Sequence, residues 1–155
     1  MNENEYMKKI QATIAKHGVA IQGVFATEGE PGLNFSYTVG LTAHDHPEFI
    51  IFGLDPMRAA RILNALARPV LDTNVRWQLG PNLEVFRGYP AELVEVVDST
   101  EYLNVANELY AEPLWANADR KSVDAIQVVY PDAEGLWPWE PGSRVLGQPV
   151  LGRHL

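Results

Sequence analysis

The segment "TAHDHPE", residues 42–48, places four titratable side chains close together: His44, Asp45, His46 and Glu48. The ordinary pKa of an imidazole lies near neutrality, so a histidine can take up and release a proton during catalysis. His46 is the candidate for proton transfer, with Glu48 orienting its ring. Tyr37 or Thr38, on the preceding predicted strand, would position a substrate. We therefore name His46, Glu48 and Tyr37 as candidate catalytic residues, and leave open whether the protein is an enzyme.

The same segment has two other interpretations. Two histidines two residues apart on an extended loop could bind one metal ion, with a carboxylate completing the site. Alternatively, His46 and Pro47 shape a turn into a buried strand, because proline fixes its own backbone and biases the residue before it toward extended geometry. The turn is favoured, especially for His44, and no metal ligands are assigned. Whether His44 and His46 share a metal ion is left open.

The segment 33–42, "LNFSYTVGLT", alternates large apolar residues with small polar ones. Successive side chains of a strand point to opposite faces, so the small polar residues share one side. The following apolar run, 49–52, lacks alternation and is expected to be covered on both faces. Beneath such cover, the small polar side contacts either a packed helix or a bound ligand, since buried hydroxyls need hydrogen-bond partners. The candidate ligand-binding residues from this strand are Ser36, Thr38 and Gly40.

Three further residues could line a ligand cleft. Trp137 and Trp139, in "LWPWEPG", either fill the core or form a wall on which a flat ligand stacks. Arg87, on a predicted strand, either pairs with one of the abundant carboxylates or binds an anion. We include Trp137, Trp139 and Arg87 among the candidate ligand-binding residues.

Bulk composition restricts the class of protein. The chain has 155 residues, which predicts one domain over 1–155, and its formal net charge of −8 disfavours nucleic acid and anionic membranes as partners. It has no cysteine, which excludes disulfides and thiol catalysis. No signal peptide or transmembrane run is visible, so we expect cytoplasmic localisation. Glycine-rich nucleotide loops and a Gly-x-Ser-x-Gly elbow are absent, which disfavours Rossmann, P-loop and α/β-hydrolase enzymes.

Local patterns predict three helices. The first spans 3–17, capped by Asn2 and ended by Gly18. The second begins at Asp55-Pro56 and ends near 68–71, with Pro69 distorting its last turn or ending it earlier. The third follows Asp98, whose spacing from Glu101 resembles a capping box.

The predicted strands cover 19–26, 33–41, 48–54, three short segments between 75 and 98, and 124–131, with a turn at 27–32 and an irregular tail after 131. Together these elements predict an α+β fold, in which six or seven strands form a curved antiparallel sheet or a small, partly open barrel with three helices. The order of hairpin and helix is similar to that of flavin-binding split barrels, which points by analogy to a flat aromatic ligand. The sequence identifies no cofactor.

Four motifs, "FSYTVGL", "HPEFIIFGL", "VVYPDAEGLWPWEPG" and "QPVLG", resemble a bacterial family known as domain of unknown function 4262, over about 16–152. The matching positions are Tyr37, Thr38, Gly40, His46, Pro47, Glu48, Pro131, Asp132, Gly135, Pro138 and Trp139. One departure is Tyr110-Ala111-Glu112, where the family pattern has a Tyr-Tyr-Gly-like segment. The resemblance implies no established reaction.

Two functions follow as expectations. The first is a domain that binds a small ligand, flat and aromatic by the analogy above, in a cleft near Tyr37 and His46. The second is a non-catalytic interaction module of the immunity, antitoxin-like or regulatory kind, whose acidic surface complements a basic protein.

Overall fold

The computed structural model describes residues 2–26, 33–111, 122–144 and 147–153. Its helices are α1 (Glu3–His17), α2 (Pro56–Thr73) and α3 (Asn104–Leu109). Its strands are β1 (Ala20–Val24), β2 (Phe35–Val39), β3 (Glu48–Phe52), β4 (Gly80–Phe86), β5 (Tyr89–Glu95) and β6 (Ala125–Val129). The predicted α+β class is confirmed, with three helices and six strands within the described residues, in line with the six or seven strands predicted.

The six strands form one open sheet in the order β1-β2-β3-β6-β5-β4. All neighbours are antiparallel except β3 and β6, which run parallel. The sheet is therefore mixed rather than antiparallel throughout, and it does not close into a barrel. The parallel pair joins residues more than 70 positions apart in the chain, as in Glu48 opposite Ala125, and no local pattern encodes such a pairing.

Helices cover both faces of the sheet. Leu63, Leu66 and Val70 of α2 pack in one core cluster with Phe49 and Ile51 of β3. A second cluster, on the opposite face, joins apolar residues of α1 and α3 to the other side of β2 and β3: Ile10, Leu103, Ala106, Tyr37, Val39, Ile50 and Phe52. The apolar run in β3 is thus buried on both faces, as predicted.

The predicted ends of α1 and the start of α2 are confirmed. The Asn2 side chain accepts the Glu5 N–H at 2.8 Å, and Gly18 ends α1 with a φ of 86°. Asp55 accepts the Arg58 N–H at 3.0 Å, with Pro56 at the first helical position. Each of these caps satisfies a backbone group that a helix end leaves unpaired.

Other boundaries differ from the prediction. Helix α2 continues through Pro69 to Thr73 and ends at Asn74, which adopts the left-handed conformation. The predicted strand at 75–79 is irregular, and Asp98 caps a short 3-10 turn, Ser99–Glu101, instead of α3. The predicted turn at 27–32 and residue Glu112 lie outside the described residues.

The closing segment 147–153 docks by mimicking strand pairing. Gln127 of β6, fully buried, donates to the Pro149 carbonyl at 2.6 Å and accepts the Leu151 N–H at 2.8 Å. The amide of Gln148 bonds the Tyr130 backbone N–H and C=O in the same manner. A Cβ at Gly152 would lie 1.8 Å from the Glu95 carbonyl oxygen, so this position requires glycine. The tail is irregular yet fixed by these contacts.

Within the described ranges, α1, α2 and α3 are each too short or too polar to span a bilayer.

Candidate functional site

Glu48 organises the polar segment at the start of β3. It is fully buried, and its carboxylate accepts five hydrogen bonds. Three come from the backbone N–H groups of Gly40, Leu41 and Thr42, and two from the hydroxyls of Thr38, at 2.8 Å, and Thr42, at 2.6 Å. Both carboxylate oxygens are therefore occupied by protein donors, and the side chain ties β2, the following 3-10 turn and β3 together.

Burial raises the pKa of the Glu48 carboxyl above its ordinary value, while the hydrogen bonds from Thr42, Thr38 and Leu41 act in the opposite direction. The side chain makes no hydrogen bond to His46 in this geometry. Glu48 therefore connects elements of the fold, and no hydrogen bond between Glu48 and the imidazole supports the predicted role of orienting the ring.

His46 is buried and both of its ring nitrogens have partners. Nδ1 lies 2.8 Å from the Pro47 carbonyl oxygen, and Nε2 accepts the Trp77 N–H at 3.2 Å. A carbonyl only accepts, so Nδ1 carries the proton and the ring is neutral. Burial lowers the pKa of His46 below its ordinary value. The imidazole thus fixes the turn into β3 and the segment that follows α2.

Tyr37 lies on the opposite face of the sheet from His46, whose ring packs on Phe49. Its side chain is 1% exposed, and its hydroxyl accepts the Val105 N–H at 3.0 Å. Helix α3 has no side-chain cap at its first position, so this hydroxyl satisfies an N–H that the helix start leaves unpaired. Burial raises the pKa of Tyr37 to about 12. The phenol acts as a cap for α3, from a residue far away in the sequence.

The small polar side of β2 lies beneath α2. Ser36 and Thr38 are buried on the strand face opposite Tyr37, and α2 contacts this strand. The Thr38 hydroxyl also accepts the Phe49 N–H at 2.9 Å. A Cβ at Gly40, where φ is 139°, would lie 2.7 Å from the Gly18 carbonyl oxygen. These residues allow close packing, the alternative that the sequence left open.

The three predicted catalytic side chains, those of His46, Glu48 and Tyr37, each hydrogen-bond to protein groups, and His46 and Tyr37 lie on opposite faces of the sheet. A groove of about 1140 Å³ opens between α2, the β4–β5 hairpin and the segment after β6, and we call it the arginine groove. Its walls include Arg58, Arg61, Ile62, Phe86, Arg87, Tyr130, Asp132, Glu134 and Arg144. Of the predicted site residues, Arg87 lies here.

Four of the eight arginines of the chain line this groove: Arg58, Arg61, Arg87 and Arg144. Arg58 and Arg61 are three positions apart on α2, so they project from the same side of the helix. All four side chains are exposed, and none forms a salt bridge within the described parts of the chain. In a chain of net charge −8, this is a concentration of positive charge against two lining carboxylates, Asp132 and Glu134.

An aromatic wall adjoins these guanidinium groups. The Tyr130 ring meets the Phe86 ring edge to face, at a centroid distance of 5.9 Å. Its hydroxyl donates to the Phe52 carbonyl at 2.6 Å, which fixes the ring against the end of β3. Burial raises the pKa of Tyr130, against the opposing effect of the nearby Arg58 charge. The groove thus combines a fixed ring with positive charge.

Asp132 holds the loop that carries Arg144. Its carboxylate accepts the N–H groups of Glu134, Leu136 and Arg144, the last at 2.8 Å. These hydrogen bonds, that of Arg144 foremost, lower the pKa of Asp132. The carboxylate is therefore engaged with backbone donors, and its effect is to fix Arg144 at the rim of the groove.

Arg87 occupies an unfavourable backbone position. It is the first central residue of the two-residue turn between β4 and β5, where Arg87 has a φ of 52° and Gly88 a φ of 98°. Turns of this type favour Asn-Gly, because most L-residues resist positive φ. Arginine at this position therefore costs free energy, and its side chain lies beside the groove.

Residues 13–144 match the family DUF4262, described as a domain of unknown function. The chain belongs to the DUF4262 family. No curated protein and no solved structure matches it. The family assignment confirms the resemblance carried by the sequence motifs and adds no reaction.

The DUF4262 motifs divide by role in this structure. The first two motifs build the hydrogen-bond network of Glu48 and the α3 cap at Tyr37. The third, through Asp132, shapes the rim of the arginine groove. Trp137 and Trp139 stack with centroids 5.2 Å apart and line a second, smaller slot against β4 and β5.

The described ranges offer no group of side chains arranged to bind a metal ion. They contain no group of three or more His, Cys, Asp or Glu side chains placed to share an ion. Since His46 uses both ring nitrogens, it offers a metal no free ligand atom.

Sequence reasoning missed Arg58, Arg61, Arg144 and Tyr130 as groove residues. A signal existed for two of them, since Arg58 and Arg61 share one side of a predicted helix that begins shortly after a buried strand. No local pattern indicates that Arg144 and the hairpin of Arg87 face this helix. The β5–β6 pairing, which brings these segments together, is a long-range feature.

Proposed function

We propose that this DUF4262 domain binds a small anionic ligand with a flat ring in the arginine groove. The observation that carries the proposal is the convergence of four exposed arginines from three separate segments in an acidic chain. Guanidinium groups present several N–H donors in a planar fork that matches carboxylate and phosphate oxygens. The proposed ligand-binding site therefore lies away from Tyr37 and His46, where sequence reasoning expected it.

The rings of Tyr130 and Phe86 support the aromatic part of the proposal. Ligand pockets combine apolar and aromatic walls with a few polar anchors, and this groove has both. Its volume of about 1140 Å³ accommodates a nucleotide-sized molecule. No histidine, serine, cysteine or lysine occurs among the described residues that line it, so we propose binding rather than a specific reaction.

The first experiment asks what the purified protein carries. Visible absorbance of the protein, followed by mass spectrometry of small molecules released on denaturation, identifies a retained ligand. An acidic aromatic compound supports the proposal, and a neutral or cationic one contradicts it.

The second experiment uses adenosine monophosphate and adenosine as matched probes in calorimetric titrations at fixed ionic strength. They share the flat ring and differ in the anionic group, so the proposal requires the phosphate to strengthen binding tenfold or more. Arg58→Ala and Arg61→Ala should each weaken binding of the phosphate probe by roughly tenfold or more, as loss of charged hydrogen bonds does. Lys9→Ala removes the same charge from an exposed site on α1 and should leave binding unchanged.

A second candidate function, partner-protein binding, is favoured by exposed apolar residues on the β4–β5 hairpin. Leu83 is 61% exposed and Tyr89 is 74% exposed, and β4 is the last strand of the sheet. An unpaired edge with apolar side chains is a surface on which another chain can dock. Co-purification with the native protein, compared with Leu83→Ser, tests this function, and a salt-sensitive basic partner is expected from the acidic charge.

A further inference from the structure

The second opening, which we call the tryptophan slot, lies between the β4–β5 strands and the segment after β6. It has a volume of about 300 Å³ and is lined by Pro81, Asn82, Leu83, Pro90, Ala91, Glu92, Trp137 and Trp139. It is distinct from the arginine groove, with which it shares Pro90. The slot is small and largely apolar, with one ionisable side chain in its wall.

That side chain, Glu92, is buried, and one of its carboxylate oxygens is left unpaired by the described residues. It is 5% exposed, and its Oε1 has no hydrogen-bond partner within the described parts of the chain. Glu48, the other buried glutamate, shows what a satisfied carboxylate looks like here, since it accepts five hydrogen bonds. A buried charge lacking donors is strongly destabilising unless a counter-charge or donor reaches it. The Glu92 carboxylate therefore has capacity to accept a hydrogen bond from a donor that enters the slot.

The tryptophans specify the chemistry of that donor. The Trp137 and Trp139 rings are parallel, at an interplanar angle of 3°, half-buried, and line the same slot as Glu92. The face of an indole ring is electron-rich and attracts cations, and planar guanidinium groups also stack on it. An anionic ligand would be repelled by Glu92, and a neutral apolar one would leave its oxygen unpaired.

We propose that the tryptophan slot binds a guanidinium-type cation, which stacks on an indole face and donates N–H hydrogen bonds to Glu92. Such a cation satisfies both features at once: its charge balances the carboxylate, and its planar fork of N–H donors matches the geometry of carboxylate oxygens. A quaternary ammonium ion satisfies only one, because it has no N–H to donate. This proposed site is separate from the arginine groove, and its ligand has the opposite charge from the ligand proposed there.

The test is a fluorescence titration of the full chain with methylguanidinium at fixed ionic strength, with tetramethylammonium as the matched probe. Both probes carry one positive charge, so general attraction to the acidic protein affects them equally. We expect saturable binding of methylguanidinium and at least tenfold weaker binding of tetramethylammonium. Equal response to both probes would contradict the proposal.

Two variants locate the site. Glu92→Gln should abolish saturable binding, because it removes the negative charge that faces the cation. Glu95→Gln, which makes the same change at an exposed glutamate on the same strand, should leave binding unchanged. Trp139→Leu should weaken binding at least threefold through loss of ring stacking. Unchanged methylguanidinium affinity in a folded Glu92→Gln or Trp139→Leu protein overturns the assignment.

Discussion

The imidazole Nε2 of His46 accepts the backbone N–H of Trp77 at 3.2 Å. This bond connects the turn before β3 to the segment after α2, two parts of the chain 31 residues apart. It requires a neutral ring with the proton on Nδ1, where the Pro47 carbonyl accepts it. A residue whose type suggested proton transfer therefore serves as a fixed acceptor.

The first prediction concerns stability against pH at His46. Its pKa in the folded state is lowered, mainly by burial. Below the ordinary pKa of histidine, the unfolded chain therefore binds a proton at this residue, whereas the ring in the folded protein stays neutral to a lower pH. The stability that this histidine contributes is complete above that ordinary pKa and declines as the pH falls toward the lowered value. Urea unfolding at pH 7.5 and 5.5 should show this decline in the native protein.

Two variants separate titration from hydrogen bonding at this position. His46→Gln keeps an acceptor for the Trp77 N–H and cannot titrate, so its stability should vary less with pH than that of the native protein. His46→Leu leaves the N–H unpaired and should cost about 1–3 kcal/mol at neutral pH. His44→Gln, at an exposed position, should preserve the native pH profile. A profile flattened equally by both glutamine variants would refute the assignment to His46.

The second prediction is that Glu48→Gln destabilises the fold. The variant keeps the shape of the side chain but turns an amide NH₂ toward backbone N–H donors of the Gly40–Thr42 turn, so at least one donor loses its acceptor. We expect a loss of about 2–4 kcal/mol in the free energy of unfolding. Glu95→Gln makes the same chemical change at an exposed site and should stay within about 0.5 kcal/mol. Equal free energies of unfolding for the two variants would show that the hydrogen bonds of Glu48 do not stabilise the fold.

The third prediction is that Tyr37→Phe destabilises by about 1 kcal/mol, because the Val105 N–H loses its acceptor at the start of α3. Tyr102→Phe is the matched control, since the Tyr102 ring packs edge-on against Phe35 and Phe52 and retains that packing in the variant. Chemical denaturation measures both. Faster amide hydrogen exchange of α3 in Tyr37→Phe alone would identify the cap as the affected feature.

Features of the fold that depend on residues close together in the sequence could be predicted, and features that depend on distant residues could not. The cap at Asn2, the end at Gly18 and the start at Asp55 are local, and the structure confirms each. The continuation of α2 past Pro69 depends on tertiary packing, since Val70 beyond it is buried in the core. The parallel β3–β6 pair is set by contacts across the whole chain, so a strand pattern alone cannot order the sheet.

The same distinction applies to the site. Sequence reasoning selected polar residues in β2 and at the start of β3, and these residues turn out to bond one another. Residue types could not show that these side chains hydrogen-bond within the protein. A buried hydroxyl or carboxylate needs a partner, and that partner can be either a ligand or another protein group. Arg87 was named from its type alone, and only the structure shows that Arg58 and Arg61 of α2 line the same groove.

The last prediction separates stability from binding at Arg87. Arg87→Asn should raise the free energy of unfolding by up to about 1 kcal/mol, because asparagine tolerates the positive φ of this turn better than arginine does. The same change removes a guanidinium group from the arginine groove and should weaken binding of the phosphate-bearing probe by roughly tenfold. Denaturation and calorimetric titration on one sample measure the two effects. Since a damaged fold would lower both quantities, a more stable protein that binds less tightly can be explained only by the lost side chain. Unchanged affinity in that protein would show that Arg87 does not contact the ligand.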